Sequence, residues 1–326
     1  MSGAGLGEFG RIERFFAPLA APGGLGLKDD AALVDCPPGH RLVMTVDAIV
    51  EGVHYLADDP PERVAQKLLR VNLSDLAAMG ARPRHYLLTT ALPPSIGDDW
   101  VARFAAGLAE DQRHFAVGLL GGDSVATPGP AVLSLTAIGE VALGAEIRRS
   151  GARPVDRIWV SGTIGDAFLG LRVLRGFHAE LAPGDRAMLV GRFQLPQPRT
   201  TLGPRLAGIA RAMCDVSDGL LADLGHICDA SEVGATVLLP ALPLSAVARH
   251  LVAGEADLAV RLATAGDDYE LLFAAPPEAT AAIERLAAEL AVSITAIGTI
   301  DPGSGVRLID ANGDRVAVAT AGYRHF

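Results

Sequence analysis

The segment RRSGARPVDR, residues 148–157, gathers Ser, Gly and Pro between two runs that read as strands, AVLSLTAIGEV (131–141) and RIWVSG (157–162). A break of this kind in a chain of 326 residues, half of them hydrophobic, leaves enough sequence on each side to bury a core. Two domains are expected, residues 1–148 and 149–326. Before the break, β-branched and apolar runs at 41–50, 85–92, 116–122 and 131–141 predict strands, with helices over 60–80 and 98–115 between them. The first of these helices opens on prolines, keeps Val64, Leu68, Val71 and Leu76 at helical spacing, and stops at Gly80. After the break the pattern predicts a helix over 163–176, another around 201–212, strands over 235–240 and 269–275, a helix over 277–291 and a strand over 294–300. A hairpin across DANGDR follows, turning at Asn312-Gly313. The fold class is α/β, of the mixed α+β kind.

Within this frame, aspartates recur in apolar company. Asp29 and Asp30 lie in LKDDAAL, Asp47 in TVDAIV, Asp75 in NLSDLAAMG and Asp123 in LLGGDS. CDVSDGLLADLG (214–225) holds Asp215, Asp218 and Asp223 without a cation in the window. Taken singly, Asp29–Asp30 suit a turn, and Asp47 or Asp123 the end of a strand. Asp75 is harder to dismiss, because it sits inside a helical pattern that aspartate does not favour, on one face with Asn72. Buried carboxylates without partners are costly. A hard divalent cation would neutralise them together, and Mg²⁺ in particular bridges a few carboxylates to substrate phosphates. The glycines in GGD and SDG would let backbone approach such a phosphate closely. A nucleotide substrate is the reading that follows.

Composition excludes several other classes. The formal net charge is −10 and no Lys/Arg block is present, so no nucleic-acid or anionic-membrane partner is expected. Of 28 basic residues only Lys28 and Lys67 are lysine, and neither sits in a P-loop. Cys36, Cys214 and Cys228 form no C-x-x-C pair, which argues against a disulfide framework or structural zinc and fits a reducing cytoplasm. Glu8, Arg11, Glu13 and Arg14 interrupt the start of the chain where an export signal would be apolar.

The motifs DDAALV, TVDAIVEGVHY, VNLSDLAAMGARP, LLGGDS, RRSGARPVD, DVSDGLLADLGHI, GDDYELLF and GYRHF, in this order, resemble the thiamine-monophosphate kinase family. That family lies within the aminoimidazole ribonucleotide synthetase-like superfamily. EGVHY, NLSDLAAMGA and GDDYEL favour the kinase over the synthetases and the hydrogenase maturation factor of the same superfamily. The resemblance implies an N-terminal domain that forms a barrel-like core with its mate in a homodimer, and a C-terminal α/β domain completing the active site. It implies transfer of the ATP γ-phosphoryl to thiamine monophosphate, the last step of thiamine diphosphate biosynthesis. The Mg²⁺ ligands would be Asp30, Thr45, the Val46 backbone, Asp47, Asp75, Asp123, Asp215 and Asp218. Gly122, Asp123, Arg149 and Ser217 would hold ATP, with His54, Asp267 and Thr320 facing thiamine monophosphate and Asp75, Asp218 and Arg149 serving catalysis. On residues alone, a surface histidine is the other reading of His54, a solvated neighbour of Arg148 that of Arg149, and part of a turn that of Asp267. Lys28, Val46, Asp267 and Thr320 depart from the family pattern. A different ATP-using synthetase on this scaffold, or a nucleotide-binding protein without catalysis, are the alternative readings.

Overall fold

Alternating burial along strands 40–50 and 82–92, and unbroken burial along strand residues 158–161, 212–215 and 271–275, divide the chain, which a computed structural model describes over residues 6–255 and 257–323. Two compact units result, one comprising Met1–Leu76 with Ala81–Leu143, the other Ala77–Gly80 with Gly144–Phe326.

The first unit begins with a single helical turn, α1 (Glu8–Arg11), and is built on four strands: β1 (His40–Val50), β2 (Arg82–Leu92), β3 (Gly118–Ala126) and β4 (Val132–Ala142). Their order is β1-β4-β2-β3, with β2 and β3 parallel and the other pairs antiparallel. Among the described residues this sheet is open, so the chain by itself contains no barrel. Helix α2 (Pro61–Ala78) is buried on nearly every side, whereas α3 (Asp98–Phe115) buries one apolar face. Val64, Leu68 and Leu76 of α2, and Phe104 and Leu108 of α3, are buried. A buried ion pair clamps the two helices together. Arg70 donates from Nε to Asp111 Oδ2 at 2.7 Å and through Nη2 to Oδ1 at 2.9 Å, while Gln66 Nε2 donates to the same Oδ1 at 3.1 Å. The pair fixes the helix that presents Asn72 and Asp75. On β1 the Thr45 side chain faces this helix, whereas Leu42, Met44 and Val46 on the other face are exposed.

The second unit holds six strands: β5 (Arg157–Ser161), β6 (Ala212–Asp215), β7 (Gly234–Leu238), β8 (Leu271–Ala275), β9 (Ile294–Asp301) and β10 (Gly305–Ile309). They are ordered β10-β7-β9-β5-β8-β6, antiparallel except for β10 with β7. Both faces are covered, so the central strands read as unbroken apolar runs. On β5, Ile158 and Val160 join one core with Leu220, Leu224 and Ile227 of α6 (Leu220–Ser231), which follows α4 (Asp166–Leu174) and α5 (Pro183–Gln194) in the chain. Trp159 points the other way, into a core with Phe273 of β8 and Ile283 and Leu286. Truncating a side chain as enclosed as Phe273 to alanine costs about 3–5 kcal/mol.

Two expectations need correction. The helix around 201–212 is absent; Gly203–Leu206 forms only a 3-10 turn, and residues from Ala212 onward pair with β8 as strand β6. Pro204 cannot donate to a helical ladder, and Ala212–Asp215 instead pair with β8 at the edge of the sheet. The hairpin at Asn312-Gly313 forms its turn, with Asp310 N–H donating to Asp314 O at 2.9 Å, but only one antiparallel bridge, Ile309 with Arg315, follows it. Conversely, Pro183–Gln194 is helical although only Leu189 and Phe193 of its residues are buried, too little apolar pattern to read from sequence. Arg324, His325 and Phe326 of the terminal GYRHF motif lie outside the described residues.

Candidate active site

In the first unit, β1 and α2 converge on oxygen ligands. Thr45 Oγ1 donates to Asp75 Oδ2 at 2.6 Å, and the Asp47 N–H donates to Asn72 Oδ1 at 3.1 Å. Asn72 in turn donates from Nδ2 to the Leu68 carbonyl at 2.9 Å, so its amide is oriented from within the helix. Thr45, Asp47 and Asp75 are thereby gathered in one place. The Val46 side chain points to the opposite face and is 61% exposed, leaving only its backbone to the acidic side.

After β1 the chain closes a tight loop that carries His54. His54 N–H donates to Val50 O at 3.0 Å, and Val50 N–H donates back to His54 Nδ1 at 3.0 Å. Because a backbone N–H can only donate, Nδ1 must be the acceptor and the neutral ring carries its proton on Nε2. The His54 carbonyl accepts from the ammonium of Lys67, a residue of α2 only 2% exposed, at 2.9 Å. Lys67 escapes a motif search, and its signal in the sequence is a lone lysine inside an apolar helical stripe.

Asp30, Gly122 and Asp123 share a different place. With Asp29, Leu88, Thr90 and Ser124 they line a cavity of about 200 Å³. Gly122 is required there by its neighbour strand: a Cβ would stand 1.7 Å from the Leu88 carbonyl oxygen. Register separates this place from the first. Asp47 is opposite Leu135, Leu135 opposite Leu88, and Leu88 opposite Gly122, so Asp47 and Gly122 belong to one lateral row on the two outer strands.

In the second unit, β6 ends at Asp215, which is 4% exposed, and the SDG turn leads into α6. Asp223, in the first turn of that helix, accepts at one oxygen, Oδ2, from the backbone N–H groups of Ser217 at 3.0 Å, Asp218 at 3.1 Å and Gly219 at 3.1 Å. The backbone donors of a helix start thus supply the partner that no side chain provides. Burial, and secondarily the Asp218 charge, still push the Asp223 carboxyl up to about 7 against the pull of these donors. Asp267 is drawn to the same turn, its N–H donating to Ser217 O at 2.8 Å, and Tyr269 N–H donates to Val216 O at 2.8 Å. Asp267 and Tyr269 have φ of 71° and 51°, a left-handed conformation uncommon for such residues. Between and after them, two carboxylates anchor the segment. Asp268 accepts from Gly165 N–H at 2.7 Å, and burial drives its carboxyl well above the ordinary range. Glu270, fully buried, accepts from Ser161 Oγ and Arg199 Nε at 2.6 Å and from Arg192 at 2.7 Å. Ser217, Asp218 and Asp267 are therefore brought together. Arg149 is exposed beside β6, where Arg148 O accepts from Met213 N–H at 2.9 Å, and Thr320 is exposed in the segment after β10.

The donors at these places are carboxylate, hydroxyl and carbonyl oxygens, the set a hard cation takes. Among the described residues no three His, Cys, Asp or Glu side chains close into a cage. Mg²⁺ fits such a set because it keeps waters and completes its shell with substrate phosphates. No described helix is long and apolar enough to cross a membrane.

Comparison with known proteins adds to this geometry. The AIR synthase related protein N-terminal domain matches residues 28–141, and the AIR synthase related protein C-terminal domain matches residues 153–311. The chain is 45% identical over 306 residues to the thiamine-monophosphate kinase of Caulobacter vibrioides, covering 92% of this chain and 85% of that one. It is 37% identical over 325 residues to the thiamine-monophosphate kinase of Escherichia coli K12, covering 98% of both. The solved structure of AaThiL complexed with AMPPCP and TMP superposes with a TM-score of 0.79 at 31% identity, covering 98% of this chain and 97% of that one.

Proposed function

The chain belongs to the thiamine-monophosphate kinase family, and from that membership we infer that it transfers the γ-phosphoryl group of ATP to thiamine monophosphate, giving thiamine diphosphate and ADP. The observation that carries this reading is a match running the length of both chains to a kinase of that name, together with a solved relative that binds an ATP analogue and TMP.

The residue roles are proposals. We assign Gly122, Asp123, Arg149 and Ser217 to ATP, and His54, Asp267 and Thr320 to thiamine monophosphate. Asp30, Thr45, the Val46 carbonyl, Asp47, Asp75, Asp123, Asp215 and Asp218 are assigned to Mg²⁺. When bound, the cation supplies positive charge against the crowded phosphate oxygens. The acceptor is a phosphate monoester whose second pKa is about 6, so it is largely ionised at neutral pH and needs no base. The work of the chain is therefore orientation and screening. His54 offers a fixed Nε2–H donor, Arg149 a guanidinium fork suited to phosphate, and Asp223 holds the Ser217–Asp218 turn in shape.

A homodimer is part of the proposal. The exposed apolar residues Met44 and Val46 on the uncovered face of the first sheet support burial against a second copy, as does the placement of acidic residues on both of its edge strands. A cytoplasmic location is proposed from the unpaired cysteines. The direct test is a coupled assay with ATP, Mg²⁺ and thiamine monophosphate. ADP release that requires the acceptor supports the assignment; release with other acceptors only, or none, refutes it.

A further inference from the structure

Ser231, the last residue of α6, spends its whole hydrogen-bonding capacity on the segment that carries Arg149. Its Oγ accepts from Gly151 N–H at 3.1 Å and Ala152 N–H at 3.2 Å, and donates to the Arg149 carbonyl at 3.1 Å. A hydroxyl has one proton and two lone pairs, so nothing is left over. The helix does not need this hydroxyl for its own end, since the Glu232 N–H closes the last turn onto the Asp229 and Cys228 carbonyls.

The opposite side of the segment is held by β6 and the residue before it. Met213 N–H donates to Arg148 O at 2.9 Å, and Gly151, at φ 120°, lies so near that a Cβ would stand 2.7 Å from the Arg211 carbonyl. Arg149 thus leaves a backbone gripped from two sides, while its own side chain is exposed. The same helix starts at the turn containing Ser217 and Asp218 and runs about 18 Å to Ser231. One rigid element therefore spaces Arg149 from that turn. An exposed arginine gives up rotamer entropy to bind, and a backbone already held in place adds no ordering cost of its own to that.

We propose that Ser231 is a positioning residue for Arg149, holding residues 149–152 so that the guanidinium meets the nucleotide phosphates. The proposal rests on the assignment of Arg149 to ATP made above. It is tested by calorimetric titration of AMPPCP with Mg²⁺ into the full chain and its variants. Ser231→Ala removes all three bonds and weakens AMPPCP binding about five- to tenfold, whereas Ser231→Thr, with the same hydroxyl, restores it. In an Arg149→Ala background, Ser231→Ala has no further effect. Hydrogen exchange at the Gly151 and Ala152 amides quickens in Ser231→Ala and not in Ser231→Thr. If Ser231→Ala does not fold, Ser231→Cys, similar in shape and weak in hydrogen bonding, makes the same comparison at smaller amplitude. Unchanged binding in the Ser231 variants beside weakened binding in Arg149→Ala overturns the proposal and leaves the Arg149 assignment standing. Unchanged binding in Arg149→Ala overturns both, and an equal Ser231→Ala effect with and without Arg149 shows that the hydroxyl acts elsewhere.

Discussion

Asp47 and Gly122 stand in one lateral row of the first sheet, on its two outermost strands, with Leu135 and Leu88 between them. Three strand spacings make about 14 Å, so no single ion bridges Asp47 and Asp123 across one sheet. The proposed ligands of this unit therefore fall into two groups, Thr45, the Val46 carbonyl, Asp47 and Asp75 at β1 and α2, and Asp30 and Asp123 in the cavity beside β3. In a homodimer, the edge strands of two copies are where these groups could meet.

Asp75→Asn and Asp218→Asn remove charge with little change in volume. Asparagine at position 75 keeps an acceptor for the Thr45 hydroxyl. Both variants are expected to unfold at or above the parent temperature without metal, and to lose at least about 100-fold in turnover. Chelation should abolish activity in the parent and added Mg²⁺ should restore it. Turnover near the parent's in either variant, or activity in excess chelator, would show the metal assignment to be wrong.

His54→Gln is expected to raise KM for thiamine monophosphate while leaving measurable turnover at saturation, since an orienting donor contributes to binding more than to chemistry. Nitrogen-15 NMR of the parent should show His54 with Nδ1 unprotonated, because Val50 N–H occupies it. A protonated Nδ1, or a turnover collapse with unchanged KM, would contradict this.

Asp223 gives a pH dependence to the metal-free protein. Its folded pKa, about 7, lies above the ordinary carboxylate value, so the native state binds this proton more tightly than the unfolded chain does. The stability it contributes is complete below about pH 4 and is lost as pH rises through 7. Thermal unfolding measured from pH 4 to 8 should decline less in Asp223→Asn than in the parent. Equal slopes would mean that the three N–H donors hold Asp223 ionised throughout.

Much of the fold was legible where local pattern and tertiary demand agree. Val64, Leu68 and Leu76 lie on one helical face, and the helix they predict is α2. Long-range pairing overrides local pattern elsewhere. Residues 212–215 are strand because β8 accepts them as an edge, which nothing in their own sequence announces. Asp75 stood out because a helix interior does not favour aspartate, and Asn72 because it shares that face. Asp111, 41 residues from Arg70, and Glu270, 71 from Arg199, have partners too distant in sequence to be inferred. Asp223 was visible as an acid without a cation, but its three backbone donors exist only once the SDG turn has formed.

The most direct measurement follows the transferred group itself. With ATP carrying a chirally labelled γ-phosphoryl, one in-line displacement by the thiamine monophosphate oxygen delivers the label to the terminal phosphorus of thiamine diphosphate with inversion, and incubation with ATP alone leaves no phosphate on the protein. Retention at phosphorus, a trapped phosphoprotein, or label appearing only as inorganic phosphate would contradict direct transfer to this acceptor.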